Sequence, residues 1–288
     1  MNYRREKLKY IAAVVLYGTI GMFLRRISLP SEAVAFCRGV LGAVSILLWL
    51  LLRGRRPDRE AIRRNLPRLL ASGVLLGFNW IFLFAAYVRT TVAIASLCNY
   101  LAPILVVAVS PFLLREKPEG KQLLCILAAF LGIFLVTGFR GGGAVSGAVL
   151  GLLAALCFAA LVICNKKLRD ISGFDRAVVQ LAVSALTILP YLLLHNRGSS
   201  LRPDLPSLLL TLMLGAVHTG LAYVLYFSAM GALPVQTVAI LGYLEPVVSV
   251  LCSALFLRES MSAAGWAGAI LIIGAAVVSE LLEGKKKG

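Results

Sequence analysis

Long apolar runs broken at short intervals by arginine, lysine, glycine and proline clusters make up most of the chain. They occupy residues 10–24, 33–52, 69–87, 91–113, 121–138, 147–164, 175–194, 207–229, 235–256 and 264–282. An α-helix rises about 1.5 Å per residue, so about 20 apolar residues cross the ~30 Å hydrocarbon core of a bilayer. Several runs are slightly short and require tilt or thin coverage. Because a spanning segment must satisfy its own backbone hydrogen bonds, the pattern predicts an all-α polytopic membrane protein with ten transmembrane helices.

Composition strengthens this reading. With 288 residues, 60% of them hydrophobic, 15% charged and a mean hydropathy of +0.89, a water-soluble fold could not bury so many near-continuous runs. The net charge of +16 raises nucleic-acid binding as an alternative, but the basic residues sit in short punctuating segments without interleaved aromatics, so no nucleic-acid partner is expected. With the N-terminus inside, the segments on that side carry 21 Lys and Arg residues against seven outside, leaving Arg38 within the second helix. Excess positive charge marks the cytoplasmic side, which predicts both termini there. The first 24 residues resemble a signal peptide in charge and hydropathy but lack a small-x-small cleavage site, and are read as the first membrane helix. All six cysteines lie in apolar runs without metal-ligand spacing, so they are read as packing residues and no metal is expected.

The two halves repeat. NYLAPILVVAVSPFLLRE at 99–116 aligns with GYLEPVVSVLCSALFLRE at 242–259 at an offset of 143, and IAAVVLYGTIGMFLRR aligns more weakly with LLAALCFAALVICNKK at an offset of 141. Five helices per repeat is an odd number, so the second copy is inverted. The expected units are residues 1–140 and 147–283, joined by a flexible glycine-rich connection at 140–147. Inverted repeats exchange conformations around a midplane site, the geometry of alternating access.

AYVRTTVAIASLCNYLAPILVVAVSPFLLREKP (86–118) and GALPVQTVAILGYLEPVVSVLCSALFLRES (231–260) together resemble the EamA-like branch of the drug/metabolite transporter superfamily. The resemblance covers essentially the whole chain. It implies a ten-helix permease of the bacterial inner membrane that moves small metabolites, often amino acids or their derivatives, usually outward. It places a central proline and a helix-end glutamate in each half, here Pro103 with Glu116 and Pro246 with Glu259. The prolines are expected to kink their helices and free a carbonyl near the midplane. The glutamates, at an unfavourable helix end for an anion unless paired, are expected to serve closure or loop anchoring, with Arg115 and Arg258 beside them.

Polar residues at membrane depth are costly and point to function. Glu245 lies near the middle of its helix, whereas the repeat-matched residue is Ala102, so either it handles substrate or a proton, or it is a paired structural carboxylate. Arg38 either snorkels outward or presents a cation to a substrate carboxylate or to Glu245; Gln180 is its counterpart. Asn79, Trp80, Asn99, Tyr100, Tyr223 and Tyr243 are candidate cavity-lining groups or helix-packing contacts. His218 is either a proton or substrate contact or a neutral histidine bonded to a neighbouring helix, and Tyr17 is a weaker candidate that rests on the family resemblance.

The glycines of GxxxG at 147–151 and of the last helix suit either intramolecular packing or a dimer face, leaving a monomer or a weak homodimer. No nucleophile–base motif, P-loop or metal-binding motif is present, which argues against an enzyme or a cofactor. The expected partners are a small-molecule substrate, membrane lipid and a proton. The sequence thus predicts a secondary transporter, with an uncoupled permease and a membrane sensor or scaffold as alternatives.

Overall fold

A computed structural model describes residues 3–113, 120–137, 141–195, 203–230 and 232–286. Among them, the elements in chain order are α1 (Tyr3–Leu24), α2 (Ser31–Leu52), α3 (Arg59–Arg89), α4 (Val92–Asn99), α5 (Ala102–Leu113), α6 (Gly120–Thr137), α7 (Gly141–Lys166), α8 (Gly173–His195), α9 (Leu205–Gly215), a π-helical turn (Ala216–Leu221), α10 (Ala222–Met230), α11 (Val235–Gly242), α12 (Leu244–Leu255) and α13 (Ala263–Lys286). No strand occurs among the described residues. Among the described residues six helices are long and apolar enough to cross a membrane, and shorter apolar helices cover Val92–Val106, Leu123–Val136, Leu244–Leu255 and Ala263–Ser279. The chain is a multi-pass, nearly all-helical membrane protein.

Local chemistry fixes several helix ends. Asp58 accepts from the N–H groups of Glu60 and Ala61, each at 3.0 Å, starting α3. The basic segment 53–68 is therefore helical from Arg59 onward, so α3 carries its arginines beyond its apolar part. Thr91 caps α4 by accepting from the Ile94 N–H at 3.2 Å. At the start of α8, Ser172 and Asp175 exchange hydrogen bonds of 2.8 and 3.0 Å in a reciprocal cap.

Packing separates the lipid-facing and protein-facing sides of each helix. Leu48 on α2, Leu186 and Leu193 on α8 and Ile270 on α13 are exposed, as apolar residues can be against lipid. Ser72, Asn79, Gln180 and Ser184 are buried between α3, α7 and α8. α6 packs on α13 at very short range: a Cβ at Gly132 would lie 2.8 Å from the Gly268 carbonyl, and one at Gly268 would lie 2.5 Å from that of Gly132. Gly147 and Gly151 face Thr90 and Cys98 of the same chain. These glycine faces are thus taken up by intramolecular packing.

The structure differs from the sequence expectation at two places. Helix α7 already begins at Gly141, so most of the 140–147 stretch is helix and not a loose connection. A helix that continues keeps its backbone hydrogen bonds internal, which at a membrane boundary outweighs the ~1 kcal/mol helix penalty of a glycine. At the expected proline kinks the helices are interrupted for one or two residues. α4 stops at Asn99 and α5 starts at Ala102; α11 stops at Gly242 and α12 starts at Leu244. Pro103 and Pro246 stand in the first turns of the downstream helices, where a missing N–H costs nothing.

Candidate functional site

The two helix breaks meet α1, α2, α3, α7, α8 and α10 around a cavity of about 490 Å³. Nine of the ten proposed substrate residues line it: Tyr17, Arg38, Asn79, Trp80, Asn99, Tyr100, Tyr223, Tyr243 and Glu245. Pro103 and Ala102 also line it. The N-terminal ends of α5 and α12 adjoin this space, and a half-helix N-terminus carries partial positive charge suited to anions.

Arg38 is only 4% exposed. Its Nε donates to the Thr219 hydroxyl at 3.1 Å, and its guanidinium carbon lies 4.5 Å from the Trp80 ring centroid and 5.3 Å from that of Phe84. Among the described residues it has no carboxylate partner within 4.0 Å, so both terminal nitrogens remain for a ligand. The π-helical turn makes this arrangement: Thr219 donates to the Leu214 carbonyl, five residues back, at 2.9 Å and turns its oxygen toward Arg38.

Glu245 stands in the first turn of α12, the favourable end for an anion. Tyr100, from the opposite break, is a neighbour of its carboxylate, and Arg38 is the nearby cation in its field. A Cβ at Gly18 would lie 2.6 Å from the Glu245 carbonyl oxygen, so α1 lies almost against the α12 backbone.

The asparagines divide their work. Asn79 Nδ2 donates to the Ala154 carbonyl at 2.8 Å and to Asn99 Oδ1 at 2.9 Å, which ties α3 to α7 and α4 and turns the Asn99 amino group to the cavity. The Tyr243 hydroxyl instead donates to the Ala276 carbonyl on α13 at 3.0 Å. His218 is outside the lining; its Nε2 is 3.0 Å from the Thr19 hydroxyl and its ring meets Phe23 edge-on at 5.2 Å.

The far end of the bundle holds a polar cluster. Arg25 pairs with Glu259 at 3.0 Å and also donates to the Thr90 carbonyl. Glu259 accepts from the Val92 N–H at 2.8 Å, at the start of α4, and from the Ser253 hydroxyl. The cation opposite Glu259 is therefore Arg25, from another helix, and not its neighbour Arg258. Close by, hydrogen bonds from Ser207 and Ser28 hold the exposed Asp204 carboxyl below the usual carboxylate range. Glu116, the matching glutamate of the first half, lies outside the described residues.

Sequence reasoning named part of the aromatic wall and missed the rest. Tyr10, Tyr226 and Phe227 line the cavity, with Tyr10 and Tyr226 centroids 5.1 Å apart and Tyr226 and Phe227 5.2 Å apart. Their spacing was a readable signal: Tyr10 and Tyr17 are two turns apart, and Tyr223, Tyr226 and Phe227 follow i, i+3, i+4. Asn165 and Arg176 also line the cavity, although their sequence positions read as part of a basic surface loop.

Comparison with known proteins agrees with this architecture. The profile of the EamA-like transporter family matches residues 7–138 and 145–280. The chain belongs to this family. It is 27% identical over 254 residues to the uncharacterized transporter YxxF of Bacillus subtilis, covering 86% of this chain and 81% of that one. It is 31% identical over 222 residues to a probable amino-acid metabolite efflux pump of Salmonella typhimurium, covering 72% and 74% of the two chains. A solved crystal structure shares the fold with a TM-score of 0.67 at 23% identity, covering 96% of this chain and 98% of that one. This EamA-like protein is thus a membrane transporter and not an enzyme.

Proposed function

We propose that this EamA-like transporter exports small amino acids or related zwitterions across the bacterial inner membrane by alternating access, with both termini in the cytoplasm. The carrying observation is the pairing of a buried Arg38, its terminal nitrogens unpartnered, with Glu245 on the same aromatic-walled cavity. Arg38 takes the substrate carboxylate as a fork, Glu245 faces the ammonium, and the rings hold the side chain with broad tolerance. The relative named as an amino-acid metabolite efflux pump is consistent with this substrate class.

Ten spans arranged as two inverted repeats, 1–140 and 147–283, supply the rocking units. The matching helix breaks at Tyr100 and Tyr243 and the two family-matched stretches support that arrangement. In the conformation described, Arg25 and Glu259 tie helix ends together on one side, while Asn165 and Arg176 extend the cavity toward the opposite, chain-terminal side. Glu245 doubles as a proton carrier that exchanges its proton for substrate, its protonation easing passage through the substrate-free occluded state.

Uptake and counterflow of neutral amino acids in proteoliposomes test this reading. Wild type should exchange substrate and accelerate under an imposed pH gradient, whereas Glu245→Gln should retain exchange and lose the acceleration. Transport indifferent to the gradient in both proteins would leave an uncoupled permease. No transport across a broad amino-acid panel would remove the substrate assignment.

A further inference from the structure

The charged groups lining the cavity do not balance. Among the described residues they are Arg38, Arg176 and Glu245, two guanidiniums against one carboxylate. Guanidinium stays protonated at any accessible pH. A zwitterion engages Arg38 and Glu245 and adds no net charge, so the loaded cavity still holds one positive charge too many. Closing around it would bury that charge uncompensated, which is costly.

Arg176 stands where the excess would be met. Two turns of sequence chemistry hold it on the wall: the reciprocal cap of Ser172 and Asp175 starts α8 just before it, and its guanidinium carbon lies 5.4 Å from the Phe227 ring centroid. Like Arg38, it has no carboxylate within 4.0 Å among the described residues. Phe227 in turn packs on Tyr223, ring centroids 5.6 Å apart, so Arg176 stands on the same aromatic wall of the cavity.

A second donor accompanies it. Gln180, one turn further along α8, donates to Asn165 Oδ1 at 2.7 Å and to the Ser72 hydroxyl at 2.6 Å. That bond fixes Asn165 with its oxygen occupied and its Nδ2 unpartnered among the described residues, on the cavity surface. A guanidinium and a primary amide thus offer donors, and no acceptor charge, at this end.

From this arrangement we infer that Arg176 and Asn165 form a second anion subsite, and that the preferred solute carries an acidic group on its side chain in addition to its ammonium–carboxylate head. The inference rests on the zwitterion reading of Arg38 and Glu245 and narrows it to amino acids of net charge −1. Loaded with such a solute, the cavity is neutral: Arg38 meets the α-carboxylate, Glu245 the ammonium, and Arg176 the distal carboxylate. A ring between head and distal acid suits the aromatic wall, since the space of about 490 Å³ exceeds what a short chain fills.

Ligand pairs differing only in the distal acid isolate the subsite. Binding of 4-carboxy-L-phenylalanine and of L-phenylalanine to the purified full-length protein would be measured by calorimetry, for wild type, Arg176→Gln and Arg176→Lys. A charge-assisted pair in a partly wet site is worth about tenfold in affinity, so wild type should favour the carboxylated ligand by about that factor. Arg176→Gln should bring the two ligands to within about twofold of each other, and Arg176→Lys should keep part of the preference. A preference that survives in Arg176→Gln, or equal binding of the two ligands to wild type, overturns the subsite while leaving the zwitterion reading in place. Failure of both ligands to bind wild type removes both readings.

Discussion

The two helix breaks at the cavity, between α4 and α5 and between α11 and α12, have nearly the same backbone and different chemistry. Tyr100 has φ −71° and ψ 0°, and Tyr243 has φ −72° and ψ −5°. Each break is followed by a proline in the first turn of the next helix. Yet Tyr100 faces the Glu245 carboxylate while Tyr243 donates to Ala276 on α13, and the residue matching Glu245 is the buried Ala102. The backbone symmetry suits a scaffold whose halves interconvert. Chemical asymmetry leaves one carboxylate at the centre, which gives the cavity a polar axis with a defined direction.

Moving the carboxylate is the strongest way to break this comparison. Ala102 borders the cavity but is 2% exposed and packed in an apolar cluster, where an unpaired carboxylate costs several kcal/mol unless it is neutralised. Ala102→Glu should therefore destabilise the detergent-solubilised protein by ~3 kcal/mol, seen as a lower thermal midpoint. Glu245→Ala should fold at near wild-type stability and lose substrate exchange. Equal tolerance of a carboxylate at both breaks would show them to be equivalent environments.

The contacts behind the breaks should differ to a smaller degree. Gly18→Val places side-chain atoms against the Glu245 carbonyl and forces α1 off α12, at a cost of about 1–3 kcal/mol. Residue 159, its counterpart at the 141 offset, is an alanine, so a Cβ is accommodated there. Ala159→Gly should lose no more than ~1 kcal/mol, mostly helix propensity. Thermal unfolding of the two variants side by side measures the difference, and a smaller loss for Gly18→Val than for Ala159→Gly would contradict the close approach.

The smallest effect separates the tyrosines. Tyr243→Phe removes the half-buried hydrogen bond to Ala276 and should cost about 1 kcal/mol of stability, with little change in substrate half-saturation. Tyr100→Phe removes the neighbour of Glu245 and should raise half-saturation about fivefold, by the same ~1 kcal/mol, with the thermal midpoint nearly unchanged. Reversal of the two patterns would place the functional break on α11–α12 alone.

The sequence by itself determined the membrane class, the helix-forming runs and most of the cavity's polar residues, because hydrocarbon forces long apolar segments and leaves few reasons to keep Arg38, Asn99 or Glu245 inside them. Its repeat at an offset of 143 also located the two breaks, although it made them kinks; only the packed chain decided that the prolines begin new helices. Tertiary structure alone turned His218 away from the cavity and onto Thr19, and gave Glu259 Arg25 as its partner, because both outcomes depend on which helices lie side by side. The same holds for Arg176 and Asn165. In sequence they border a basic loop, and only the tilt and packing of α7 and α8 bring them onto the cavity wall, since linear hydropathy records burial along one helix and not the space that several helices enclose.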